Sequence, residues 1–190
     1  MTQNKISLSP TITSLSAVAL LFLLSGCPQK LPPNNYAVKR VSDGDTLVAS
    51  DAAGKDIKVR FACVDAPEIA HTNAEKNSKK AAYKNQFKWG NLAEQRMQQL
   101  VKEGGGRVVL TVTDTDRYGR KVSEVRLPNG TFAQEVLLRE GLAMVYTPYL
   151  KNCPSATVVQ QAEAEAKKNR RGIWGDSKFV PAWDFRHSDK

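Results

Sequence analysis

Apolar residues change their spacing several times along the chain, and each change marks an element. From Tyr36 to Val41 and from Asp45 to Ala49 the runs are short and β-rich, and Ser42-Asp43-Gly44 between them is a turn signal. Ile57 to Val64 (IKVRFACV) alternates, with Ile57, Val59, Phe61 and Cys63 on one face and Arg60 on the other. These three runs predict a meander. Glu75 to Lys88 is polar and lysine-rich. Beyond it Leu92, Gln95 and Gln99, and likewise Leu92, Arg96 and Leu100, fall at helical spacing until Gly104-Gly105-Gly106 stops the helix.

Arg107 to Thr113 and Lys121 to Leu127 read as two further strands, joined by 114–120 and followed by a turn at Pro128-Asn129-Gly130. Phe132 to Arg139 and Val158 to Lys168 read as helices, with Gly141 and Gly172 as their stops. Three strands, a helix, two strands and two helices predict an α+β, mainly β fold: a five-stranded closed barrel of the OB kind, decorated by about three helices. No internal repeat is present.

The first residues follow a different pattern. Lys5 is the sole charged side chain before Lys30, and an apolar run peaks at Ala17–Leu24, ahead of Leu24-Ser25-Gly26-Cys27. A secretory signal has this order of charged, apolar and small residues, and its ending resembles a bacterial lipobox, which would make Cys27 the lipidated first residue. A transmembrane anchor needs about 20 apolar residues, and Ser7, Ser9, Pro10, Thr11, Thr13, Ser14 and Ser16 interrupt any longer run. The reading is therefore a signal peptide over 1–26 and a Pro-rich tether over 27–35 (Pro28–Asn35 is PQKLPPNN). A lipid-anchored protein at the bacterial cell envelope is expected.

With 190 residues the chain holds one domain and a little more. A 41% hydrophobic and 25% charged composition with 12 Gly and 9 Pro excludes a disordered or low-complexity chain. Lysine and arginine number 28 against 19 aspartates and glutamates, a net charge of +9. Removing the first 26 residues takes away one lysine and leaves 164 residues at +8. Such a balance favours polyanionic partners, nucleic acid first and anionic membrane second.

Cys63 and Cys153 remain after Cys27. In an oxidising compartment they either pair or, for Cys63, serve as a small buried hydrophobe. His71 and His187 stand alone in sequence and receive no catalytic or zinc role.

The charged residues at strand ends carry the chemistry. Asp43-Gly44-Asp45-Thr46 is by itself a turn former. Arg60-Phe-Ala-Cys-Val-Asp65-Ala-Pro-Glu68 is less ordinary, because it sets an arginine in an apolar strand and two carboxylates three residues apart. An inward arginine needs a partner, here Asp65 or Asp45. Asp116-Arg117-Tyr118-Gly119-Arg120 taken alone reads as a charged hairpin tip.

Taken together and in this order, the three motifs resemble the staphylococcal nuclease (thermonuclease) family, from about Tyr36 to about Trp174. The resemblance implies a five-stranded OB barrel with three helices over 36–175, followed by a tail, 176–190, that packs on the domain. It implies that Asp45 and Asp65 hold calcium together with the backbone carbonyl of Ala66, and that Glu68 activates the attacking water. Arg60 and Arg120 would grip the phosphate, Tyr118 would touch it, and Tyr149, with Tyr146 as the weaker candidate, would stack on the nucleotide. Ala66 stands where the namesake enzyme has threonine, a change that a main-chain ligand tolerates. Trp183 is expected to pack on the barrel. The activity implied is calcium-dependent hydrolysis of DNA or RNA to 3′-phosphates by a monomer of low sequence specificity.

Phosphodiester chemistry asks for the same groups. An anionic substrate needs cationic compensation for growing charge and a group to take a proton from water. A guanidinium fork meets two phosphate oxygens, which a lysine does not. Two other classes stay open at this point: a non-catalytic nucleic-acid-binding OB module, and a basic structural lipoprotein of the envelope.

Overall fold

The computed structural model describes residues 34–188 and Met1. The expected signal segment, Cys27 and most of the tether fall on residues 2–33, outside the described residues, and all elements below belong to the unit Leu31–Lys190. In chain order the strands are β1 (Asn35–Val41), β2 (Thr46–Ser50), β3 (Asp56–Phe61), β4 (Val64–Asp65), β5 (Arg107–Thr115), β6 (Lys121–Arg126) and β7 (Met144–Val145). The helices are α1 (Asn73–Lys76), α2 (Ala81–Glu103), α3 (Ala133–Arg139), α4 (Ala156–Lys168) and α5 (Ala182–Ser188). Two 3₁₀ turns, Thr147–Asn152 and Gly172–Gly175, join the later ones.

Five strands close into a barrel in the order β1-β2-β3-β6-β5, with β5 returning antiparallel to β1. Only the β3–β6 pair is parallel. The alternation seen in sequence sorts the side chains: Leu47, Val59, Phe61, Val108, Leu110 and Val125 enter one core cluster. Ala93, Met97 and Leu100 of α2 and Leu137 and Leu138 of α3 join it. Removing Phe61 from such a core by substitution to Ala costs about 3–5 kcal/mol. The buried Gln134 of α3 ties the parallel seam, accepting from Val125 N–H (3.1 Å) and donating to the carbonyls of Ser123 in β6 (3.0 Å) and of Ala62 just past β3 (3.5 Å).

Several bounds differ by a residue or two from those the pattern predicts, and four features stand out. β1 takes in Asn35, which pairs with Val109, while the Leu110 N–H donates to the carbonyl of Asn34, so the last tether residues belong to the barrel. β3 stops at Phe61 instead of running to Val64, because Cys63 has φ +72° and turns the chain out of the sheet. Beyond that bend β4 pairs with β7 as a separate two-stranded sheet, a partnership no local pattern announces. The long helix begins at Ala81, inside the lysine-rich run and well ahead of the helical spacing read from Leu92, while the Glu75 carboxylate folds back on the N–H groups of Thr72 (2.8 Å) and His71 (2.7 Å) and closes a capping box on the separate single turn α1.

The tail after Trp174 packs on the domain through α2. Asp176 accepts from Asn85 (2.8 Å) and from the Trp89 indole (2.9 Å), and Phe185 of α5 meets Tyr83 and Phe87 edge to face at 5.1 and 6.0 Å. No helix among the described residues is long and apolar enough to cross a membrane.

Candidate active site

The turn between β1 and β2 aims the first carboxylate. Asp43 accepts from the N–H of Asp45 (2.9 Å), and Gly44 lies so close to α2 that a Cβ there would meet those of Ala93 at 2.6 Å and Ala66 at 2.8 Å. Asp45 is 1% exposed. One step along the ladder, Thr46 pairs with Arg60 of β3, which brings the guanidinium across to the carboxylate. Arg60 donates through Nη1 to Asp45 Oδ1 and through Nη2 to Asp65 Oδ1 (2.5 Å). Both partners considered from sequence are therefore used.

The bend at Cys63 delivers Asp65, which is 2% exposed, from the short β4. The next peptide N–H, that of Ala66, donates to Asp45 Oδ2 at 2.6 Å, so the two carboxylates and the Ala66 peptide form one buried unit. A disulfide from Cys63 to Cys153, with a Cα–Cα distance of 5.6 Å, ties this stretch to the end of the 3₁₀ turn that carries Tyr149.

Glu68 follows Pro67 and is held by α2. Gly90 touches its backbone: a Cβ at Gly90 would lie 2.0 Å from the Glu68 carbonyl oxygen. One turn earlier the buried Gln86, in the amide orientation that satisfies both neighbours, accepts from the Glu68 N–H (3.1 Å) and donates to the Val180 carbonyl (3.0 Å).

Arg120 arrives from the β5–β6 hairpin. Its backbone N–H and its Nε both donate to Asp116, at 2.9 and 2.7 Å, while its terminal nitrogens have no protein acceptor among the described residues. Burial pushes the Asp116 carboxyl up, but the hydrogen bonds from Arg120 and the Tyr118 N–H outweigh it and hold the group below its usual range. Tyr118, 66% exposed, lies within 5.5 Å of the Arg120 guanidinium. On another wall Tyr149, 60% exposed, stacks on Tyr146 at 5.5 Å and 27°. Trp183, expected on the barrel, lies beside that pair, 6.1 Å from Tyr146.

Arg60, Asp65, Glu68, Tyr118, Arg120 and Tyr149 thus line one cleft of about 990 Å³, and Asp45 and Ala66 are buried beside it, joined through Arg60 and the Ala66 N–H. His71 and His187, which sequence left without a role, also line it. One residue of the cleft escaped sequence reasoning altogether. Arg186 of α5 donates to Asp65 Oδ2 (2.8 Å), to Asp65 Oδ1 (3.3 Å) and to Glu68 Oε1 (2.5 Å). Burial works against its charge, and Asp65 and Glu68 together more than restore it, so its proton is held more tightly than usual.

The donor set fits a hard divalent cation. Asp45 and Asp65 are brought onto the same guanidinium with the Ala66 peptide between them, and all three offer oxygen. Burial raises the Asp45 carboxyl well above its usual range, Arg60 pulls it back, and Asp43 and Asp65 raise it again. The tightest His/Cys/Asp/Glu trio among the described residues is elsewhere, Cys63, Glu124 and Cys153, and its two sulfurs are bonded to each other.

A barrel whose rim gathers guanidinium groups and carboxylates around one open cleft is the architecture of an OB-fold enzyme acting on phosphodiesters. Residues 58–176 match the family described as staphylococcal nuclease homologue. The chain is 35% identical over 150 residues to an uncharacterized endonuclease of Escherichia coli O157:H7, covering 79% of this chain and 83% of that one. It is 29% identical over 161 residues to micrococcal nuclease of Shigella flexneri (80% of each), and 33% identical over 147 residues to endonuclease YncB of Bacillus subtilis (77% and 64%). The chain belongs to the staphylococcal nuclease family and is a nuclease, with nucleic acid as its substrate.

Proposed function

We propose that this nuclease is a calcium-dependent phosphodiesterase of low sequence specificity that cuts DNA or RNA to 3′-phosphate products, working as a monomer held at the bacterial cell envelope by lipid on Cys27. The observation that carries the reading is the convergence of Arg60, Asp65, Glu68 and Arg120 on one cleft with Asp45 buried beside them. Asp45, Asp65 and the Ala66 carbonyl would hold calcium, which supplies positive charge against the phosphoryl oxygens. Glu68, fixed at its backbone by Gln86 and Gly90, takes the proton from the attacking water. Arg120 meets the phosphate through the terminal nitrogens that Asp116 leaves free, and its Nε–Asp116 bond holds the fork still. Arg60 sets the two buried aspartates and offers its partly exposed edge to the same phosphate.

Low specificity follows from how bases are met. Tyr149 presents an open ring face backed by Tyr146, and stacking tolerates any base. Incubating the purified chain with single- and double-stranded DNA and with RNA, in calcium, magnesium or chelator, tests the enzymology. Cleavage restored best by calcium, with 3′-phosphate ends, is expected; full activity in excess chelator refutes the metal. For the anchor, Cys27→Ser should leave an unprocessed or soluble product in detergent partitioning, since a lipidated N-terminus supplies the chains that hold it.

A further inference from the structure

The two carboxylates assigned to the cation have no idle oxygen. Asp45 Oδ1 accepts from Arg60 and from Thr46 Oγ1, and Asp45 Oδ2 from the Ala66 N–H. Asp65 Oδ1 accepts from Arg60 and Arg186, and Asp65 Oδ2 from Arg186. A cation approaching these oxygens meets the positive charge of two guanidinium groups at hydrogen-bond range, and one of them has to draw back for it to settle. The donors differ in how freely they yield.

Arg60 is built into the barrel, paired through its backbone with Thr46 on one side and Val122 on the other. The Ala66 N–H is main chain. Arg186 reaches in from α5 on a long flexible stem, and its side chain is 40% exposed. Its backbone does not have to follow, because the neighbouring Phe185 is buried against Tyr83 and Phe87. Of these donors, Arg186 is the guanidinium that can swing away while the fold stands. It also ends on Glu68, so a departure from Asp65 need not release the base.

We infer that Arg186 is a positioning residue of the nuclease site: it neutralises Asp65 and orients Glu68 before the cation arrives, and the cation binds by displacing it from Asp65. This inference rests on the calcium reading given above. Its consequence is that Arg186 sets the calcium affinity from outside the ligand set, because its positive charge and its hydrogen bonds compete with the ion for Asp65. A residue that merely pinned α5 would weaken the site when removed. A competitor strengthens it.

The test is titration calorimetry of calcium into the full chain and into Arg186→Ala and Arg186→Lys, with thermal melts to report folding. Loss of one positive charge several ångströms from a divalent ion should tighten calcium binding of Arg186→Ala by about 5- to 30-fold. Arg186→Lys keeps the charge but not the fork and should fall between wild type and Arg186→Ala. Unchanged or weaker calcium binding in a folded Arg186→Ala, with wild type binding normally, overturns the inference alone. If Arg186→Ala does not fold, Arg186→Lys decides by the same direction of shift. No calcium binding by the folded wild type overturns the metal reading and the inference with it.

Discussion

Glu68 and Arg120 reach the cleft with different kinds of support, and their substitutions should fail in different ways. Glu68 is placed to move a proton, so Glu68→Gln should lower turnover by about 10²–10⁴-fold while leaving DNA affinity intact. Arg120→Lys keeps the charge but loses the fork whose Nε is fixed on Asp116. Turnover should drop by about 10²–10³-fold, the worth of one preorganised donor, and binding measured across a salt series should keep its slope, since that slope counts charges. Wild-type turnover in both variants would mean that the cleft does its chemistry elsewhere.

At the scale of elements, the site depends on two contacts that no charged side chain makes. Gly90 lies within α2, where exchange for Ala ordinarily favours a helix by up to about 1 kcal/mol. Here the added Cβ would lie 2.0 Å from the Glu68 carbonyl oxygen, so helix and site loop must part. Gly90→Ala should therefore lower the melting temperature and, by displacing Glu68, cut turnover by roughly 10²-fold; a rise in melting temperature would contradict the contact. The Cys63–Cys153 bridge closes a separation of 90 residues between the bend ahead of β4 and the end of the Tyr149 turn. Replacing both cysteines by Ser should cost about 2–5 kcal/mol in denaturant unfolding, and turnover should fall with it because Asp65 stands two residues from the bridge.

At the scale of the whole molecule, the tail is fastened to α2 by charge as well as by aromatic packing. Asp176 is held down to about 2 by the Trp89 indole first, then by the Lys178 N–H and Asn85, against an ordinary 3.8. A carboxyl depressed in the folded state contributes its stability above the ordinary value and loses it as pH falls through the folded one. Asp176→Asn should therefore be less stable than wild type at neutral pH, and the gap between them should close as pH is lowered from 3.8 toward 2. A gap independent of pH would place the tail's attachment in packing alone.

The barrel was legible because its strands carry local records: short β-rich or alternating apolar runs, with turn signals at Ser42-Asp43-Gly44 and Pro128-Asn129-Gly130. The three charged motifs were equally local, since Asp45, Asp65, Glu68 and Arg120 each stand at the end of a strand that the pattern marks, and their order in the chain suffices to point to the staphylococcal nuclease family. What sequence could not carry was contact between distant segments. Arg186 is separated from Glu68 by 118 residues and looks in sequence like one more surface arginine on a short helix. Gln86 sits in a lysine-rich run where nothing marks it as buried, and Gly90 reads as a weakness in a helix rather than as a place where the backbone of Glu68 must fit. The bend at Cys63, with its positive φ, breaks an alternation that the residues themselves continue. Local spacing determines which strands and helices form, because it acts through each segment's own backbone and its own apolar face. Closure of the barrel, the β4–β7 pair and the Arg186 contact were decided only when remote segments met, since the free energy of those contacts belongs to neither segment by itself.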